Sequence, residues 1–206
     1  MPRRIETLFI RGPAGLLQAM LESGDGEPRE AVLLCHPHPL YGGTMRNKVV
    51  HRIARGLGRT GAAVLRFNFR GVGLSEGAFD DGRGELDDAR ASMEWLRARF
   101  PETPYSIAGF SFGSRIALRL ACELGTVARV IGVGVPTGAP AISGLARCRR
   151  PKIIIQSTHD QFGPREELER LFETFSEPKR LIWIEARDHF FDGALEHLEH
   201  TIQQLD

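Results

Sequence analysis

Ala108-Gly109-Phe110-Ser111-Phe112-Gly113 is the stretch on which the reading of this chain turns. It has the form Gly-x-Ser-x-Gly, and its flanks give it meaning. Pro104 to Ala108 is short and β-prone. Ser114 to Leu124 carries Ile116, Leu120 and Leu124 at every fourth position, a helical repeat, with Gly125 as a stop. Ser111 is therefore expected on a sharp strand-to-helix turn. Such a turn holds the serine in strained backbone space and needs very small neighbours, which Gly109 and Gly113 supply. It lifts the hydroxyl above the sheet, with the positive end of the helix beneath it. The plainer reading is a Gly-rich turn that only packs, or that binds an anion.

Outward from this turn, the chain alternates. Ile5–Ile10 and Leu16–Leu21 are strand-like around the turn residues Gly12-Pro13-Ala14-Gly15, which predicts a hairpin. Ala31–Cys35 is a continuous apolar run, as expected of a strand buried on both faces. The stiff loop from His36 to Gly43 follows, then a helix over Asn47–Leu57 with Val49, Val50, Ile53, Ala54 and Leu57 inward. A strand over Ala62–Phe69, the loop Arg70–Gly77 and a helix over Glu85–Phe100 come next. Beyond the serine turn are strands over Val127–Val135, Lys152–Ser157 and Arg180–Ile184, with helices over Arg165–Phe175 and Ala194–Leu205. This order predicts an α/β fold: one domain over 1–206, with a mostly parallel sheet covered by helices on both faces.

Composition narrows the function. Lys and Arg number 27 against 26 Asp and Glu, and no basic run is long, so neither nucleic acid nor a membrane surface is an expected partner. No signal peptide or membrane span is read in the sequence. The 3 cysteines, Cys35, Cys122 and Cys148, are odd in number and lack metal-type spacing. They read as reduced thiols of a cytoplasmic protein. Cys35, at a strand end, reads as a small buried filler.

In a parallel sheet, functional residues gather at the carboxyl ends of strands. Ser111, Asp160 and His189 each follow a predicted strand. A serine hydroxyl needs an imidazole to take its proton, and the imidazole needs an acceptor to fix its tautomer and stabilise its charge. Their order, Ser then Asp then His, is that of the α/β-hydrolases. Between Arg129 and Lys152 there is no acidic residue to compete with Asp160. Glu166 and Glu167 are expected to face solvent, as are His197 and His200. Asp188 is the alternative acid, and a core-edge histidine is the plainer role for His189. An oxyanion hole would take one N–H from Phe112 and a second from the loop after Cys35. Pro37 and Pro39 have no N–H, which leaves His38 and Leu40. The His36 and His38 side chains read as loop pins rather than metal ligands, and no metal or cofactor is expected. Gly71-Val72-Gly73 lacks the third glycine of a dinucleotide fingerprint.

Four stretches resemble the small bacterial α/β-hydrolases grouped near dienelactone hydrolase. They are Cys35-His36-Pro37-His38-Pro39-Leu40-Tyr41-Gly42-Gly43-Thr44-Met45, Phe67 to Gly77, Gly109-Phe110-Ser111-Phe112-Gly113 and Asp188-His189-Phe190-Phe191. The resemblance spans nearly the whole chain. It implies the α/β-hydrolase fold with about eight strands, with Ser111, Asp160 and His189 in the triad positions. Dienelactone hydrolase itself uses cysteine where this chain has Ser111, which argues against a dienelactone substrate. The expected reaction is hydrolysis of a small carboxylic ester through an acyl-serine, by a monomer or homodimer. The alternatives are a thioesterase or small amidase with the same triad, or a binding protein on a hydrolase scaffold. The gap from Pro136 to Pro151, about sixteen residues, is too short for a cap domain and lacks a lid's amphipathic pattern: Ala141, Ile142, Leu145 and Ala146 run into Arg147, Arg149 and Arg150. An open cleft between the His36–Gly43 and Arg70–Gly77 loops is expected.

Overall fold

A computed structural model describes residues 4–138 and 145–205. The strands are β1 (Arg4–Gly12), β2 (Gly15–Ser23), β3 (Ala31–Cys35), β4 (Ala63–Phe67), β5 (Tyr105–Phe110), β6 (Val130–Val133), β7 (Lys152–Ser157) and β8 (Lys179–Ile184). The helices are α1 (Lys48–Arg59), α2 (Arg83–Arg99), α3 (Phe112–Leu124), α4 (Arg165–Glu173) and α5 (Leu195–Gln203). All strands form one eight-stranded sheet in the order β1-β2-β4-β3-β5-β6-β7-β8. The β1–β2 hairpin and the β2–β4 pair are antiparallel, and every pair from β4 to β8 is parallel.

The period-2 alternation of the central strands builds two cores. Leu33, Cys35, Leu65 and Ile107 face α2 and α3 with Leu86, Met93, Ile116 and Leu120. Val32, Leu34, Val64 and Ala108 face α1 and α5 with Val49, Ile53, Leu57, Leu198 and Ile202. Each such side chain, fully withdrawn from water, contributes about 1.5–3 kcal/mol before chain entropy is counted. α1 begins where Asn47 caps it, its Oδ1 accepting the N–H groups of Val49 (2.9 Å) and Val50 (3.4 Å). α5 docks on α1 through Glu199, buried and paired with Arg52 (2.9 Å), Arg55 (3.4 Å) and Arg59 (3.0 Å).

Several sequence expectations shift. β6 is shorter than the Val127–Val135 reading, because Gly134 turns left-handed (φ 57°) and ends the ladder. β4 stops at Phe67 rather than Phe69, because the Phe69 N–H leaves the ladder for His36 Nε2 (3.0 Å). The reading of all cysteines as unpaired thiols is corrected. Cys122 on α3 and Cys148, just before β7, form a disulfide (Cα–Cα 5.2 Å) across 26 residues of sequence, a pairing that no local pattern shows. Cys35 is free and buried, as expected. Burial also pushes its thiol pKa far up, so it stays protonated.

Among the described residues no cap domain interrupts the fold, and no helix is long and apolar enough to cross a membrane. In the gap from Pro136 to Pro151, Ala141 and Ile142 lie outside the described residues. Leu145 is buried.

Candidate active site

The serine turn is built as its glycines require. Ser111 has φ 56° and ψ −120°, a strained conformation for a residue with a Cβ. Two close approaches hold it there. A Cβ on Gly109 would stand 2.1 Å from the Gly113 carbonyl oxygen, and one on Gly113 would stand 2.3 Å from that of Cys35. Only glycine lets the first turn of α3 settle over the ends of β5 and β3. The Ser111 N–H donates to Val133 of β6 (2.9 Å), fastening the turn to the neighbouring strand.

The β3 loop arrives beside this turn because Cys35 pairs with Gly109 in the sheet. His36 is buried; its Nδ1 lies 2.6 Å from the Pro37 carbonyl and its Nε2 accepts the Phe69 N–H (3.0 Å). Those partners fix Nδ1 as the protonated nitrogen, and burial holds its pKa down at about 4. The Leu40 N–H is committed to the Nδ1 of His38 (3.2 Å). Among the described residues the His38 N–H donates to no acceptor. Its side chain packs against Tyr41, Phe79 and Phe112 (ring centroids 4.7–5.0 Å). Both histidines are the loop pins expected of them.

Asp160 and His189 meet from adjacent strand ends, since β7 and β8 run parallel with Ser157 opposite Ile184. His189 Nδ1 lies 2.7 Å from Asp160 Oδ2, both side chains buried. Asp160 is itself anchored. Its Oδ1 accepts the N–H groups of Phe162 (2.8 Å) and Gly163 (3.1 Å), and its Oδ2 accepts Gln156 Nε2 (2.9 Å). The alternative acid, Asp188, turns into its own loop, where its Oδ1 accepts the N–H groups of Phe190 (2.9 Å) and Asp192 (3.0 Å).

The His189 ring then crosses β6 toward the serine turn. It stacks on Phe110, the residue before Ser111 (5.0 Å, 29°), and passes over Gly134, where a Cβ would stand 3.1 Å from its Cε1. Its Nε2 is buried and has no hydrogen-bond partner. A buried imidazole nitrogen without a partner, beside a serine in a strained turn, is suited to accept a proton there.

Two features escaped the sequence. Gln156 clamps the Asp160 turn, bonding the Val135 N–H (2.7 Å) and the Gly163 carbonyl (3.2 Å) as well as Asp160. A polar residue directly after the apolar run Ile153-Ile154-Ile155, still within the strand, was its signal. Gln161 accepts the His189 N–H (3.2 Å) and carried no signal at all.

The rim of this site is apolar. Leu40, Tyr41, Leu74, Phe162 and Phe190, all more than a third exposed, come from the loops after β3, β4, β7 and β8. The Arg70–Gly77 loop is tied to the hairpin, with Glu76 N–H on the Leu16 carbonyl (2.8 Å) and Gln18 N–H on Ser75 Oγ (2.9 Å). A concavity of about 1390 Å³ lies at the opposite end of the strands around Glu30, Gly61, Pro104 and Ala128. It holds none of this chemistry. Among the described residues no group of three or more His, Cys, Asp or Glu is placed to hold a metal ion.

Residues 28–205 match the sequence profile of the alpha/beta hydrolase domain. An uncharacterized protein of Rickettsia prowazekii is 33% identical over 204 residues, covering 95% of this chain and 86% of that protein. Among solved structures, an alpha-beta serine hydrolase homologue from Coxiella burnetii is 36% identical, with a TM-score of 0.92 over 97% of this chain and 96% of that one. An a/b serine hydrolase without lid from Xanthomonas campestris is 33% identical, with a TM-score of 0.85 over 100% of this chain and 98% of that one.

Proposed function

The chain belongs to the alpha/beta hydrolase domain family, and from that premise we propose that it cleaves small carboxylic esters through an acyl-serine intermediate, acting as one domain. Ser111 is the nucleophile, His189 the general base and Asp160 the group that orients it. The observation that carries this reading is the buried His189 ring, held by Asp160 at 2.7 Å with its Nε2 unpartnered beside the Ser111 turn.

In this mechanism the Ser111 Oγ attacks the ester carbonyl as its proton passes to His189 Nε2. Asp160, accepting from Nδ1, stabilises the imidazolium. The tetrahedral oxyanion sits between the N–H groups of Phe112 and His38. Phe112 is the first residue of α3, so its N–H has no acceptor within the helix. Leu40, the other candidate, is less suited because its N–H is already engaged by His38. The imidazolium protonates the leaving alkoxide. A water, deprotonated by His189, then releases the acid and restores Ser111. The apolar rim favours small esters with little charge at the reacting end.

A fluorophosphonate probe followed by peptide mass spectrometry tests the assignment. The adduct is expected on Ser111 in the native protein, with labelling lost in Ser111→Ala and strongly slowed in His189→Gln. An adduct elsewhere, or a folded protein that resists the probe and turns over no ester or thioester, would leave a scaffold without catalysis.

A further inference from the structure

We propose that Arg115 is the specificity determinant of this site and receives a carboxylate carried by the substrate. The inference rests on the esterase reading and adds to it a substrate class: short esters bearing a free carboxylate, such as half-esters of small diacids.

Arg115 lies in the first turn of α3, four residues after Ser111 and three after Phe112, and therefore on the same helix face. Its positive charge adds to burial in lowering the pKa of His38. The Nε of Arg115 is buried and has no acceptor, and among the described residues Arg115 forms no ion pair. Other arginines on the surrounding elements are paired: Arg119 with Glu123 (2.9 Å), Arg70 with Asp88 (2.7 Å), Arg83 with Asp80 (3.3 Å) and Arg187 with Asp192 (3.1 Å). Arg66 also has an unpartnered Nε, but its remaining nitrogens are engaged by Met45 and Glu22.

Two acids, Glu85 and Asp81, act on His38, and neither forms an ion pair with Arg115 among the described residues. Glu85 uses its two oxygens on the N–H groups of Asp80 (2.9 Å) and Gly82 (2.7 Å). Burial pulls the Arg115 pKa down, and neither acid offsets it. Arginine starts so far above neutrality that the group stays charged. A half-buried, permanently charged fork with an unfilled donor, on the helix turn that follows the nucleophile, is a receptor for an anion. One guanidinium balances one negative charge and matches the planar, two-oxygen form of a carboxylate, whereas a phosphate dianion would call for a second cation.

The test compares kcat/KM for mono-p-nitrophenyl glutarate with that for p-nitrophenyl valerate, and for 4-carboxyphenyl butyrate with that for phenyl butyrate. It uses the native protein, Arg115→Gln and Arg115→Lys. The first pair places the carboxylate on the acyl side and the second on the leaving group. In at least one pair, the charged-to-neutral ratio is expected to fall tenfold or more in Arg115→Gln, chiefly through KM, and to recover in part in Arg115→Lys. Ratios unchanged in both pairs would overturn the proposal. Failure of the esterase reading looks different, since the native protein would then turn over neither neutral nor charged ester. In that event, calorimetric titration with glutarate and with inorganic phosphate reads Arg115 by itself. Tenfold weaker glutarate binding in Arg115→Gln supports the role. Equal glutarate binding, no binding to the native protein, or a dependence on Arg115 seen with phosphate alone refutes it.

Discussion

At the scale of single residues, the site depends on where two imidazoles find their partners. His189 has Asp160 on one nitrogen and nothing on the other. Asp160→Asn should leave the fold intact and lower kcat roughly 10³–10⁴-fold, because the amide no longer fixes the productive tautomer. Asp188→Asn keeps the oxygen that caps its own loop and should stay near the native rate. A steady-state comparison of the two variants checks this, and the reverse order would move the acid to Asp188. His36 has both nitrogens engaged and its pKa held at about 4 by burial. In the unfolded chain a histidine titrates near 6.5. Between those values the unfolded state binds more protons, so stability is fully present above about pH 6.5 and is lost as pH falls toward 4. From pH 7.5 to 4.5 the loss from this one group should be on the order of 2–3 kcal/mol. Urea unfolding at both values, on the native protein and His36→Gln, isolates it. An equal loss in both proteins would remove His36 as the cause.

Among the elements, the contact least evident from the chain order is the one between α3 and the β6–β7 connection. The Cys122–Cys148 disulfide ties the far end of the helix that bears Ser111 to the residues just before β7. Closing a loop of 26 residues should contribute about 3.5 kcal/mol in the chain-entropy account. Reduction should therefore lower Tm by roughly 10 °C, and a Cys122→Ser/Cys148→Ser protein should melt low with or without reductant. Thiol titration of the unfolded, unreduced chain should find one reactive group, Cys35. Three would mean that the bridge does not form. α3 also shows why element ends are hard to read from sequence. Its first turn begins at Phe112, two residues earlier than the apolar repeat suggests, because Phe112 and Gly113 are held over β3 and β5 by contacts far away in sequence.

For the whole molecule, the arrangement is a packed sheet with loops at one end and, among the described residues, no cap domain over them. A site of this kind covers little of a long acyl chain, and each methylene left in water forgoes about 0.8 kcal/mol of binding. A p-nitrophenyl ester series should therefore peak at acetyl to butyryl and show no jump in rate at the solubility limit. Specificity rising steadily from C4 to C12 would point to a longer, covered pocket.

The sequence by itself determined the alternation of strands and helices, the serine turn and the strand ends that carry Asp160 and His189. These follow from local rules: apolar periodicity, the conformational freedom of glycine and the order of elements along the chain. Tertiary structure alone decided which partners those residues take. Asp160 rather than Asp188 meets His189 because parallel pairing of β7 and β8 brings one carboxylate across while a tight loop turns the other away. Cys122 finds Cys148, Gln156 clamps Asp160 and Arg115 is left without an acid by the same cause. Each depends on distances between segments remote in sequence, and those are set by packing of the complete sheet rather than by any local preference.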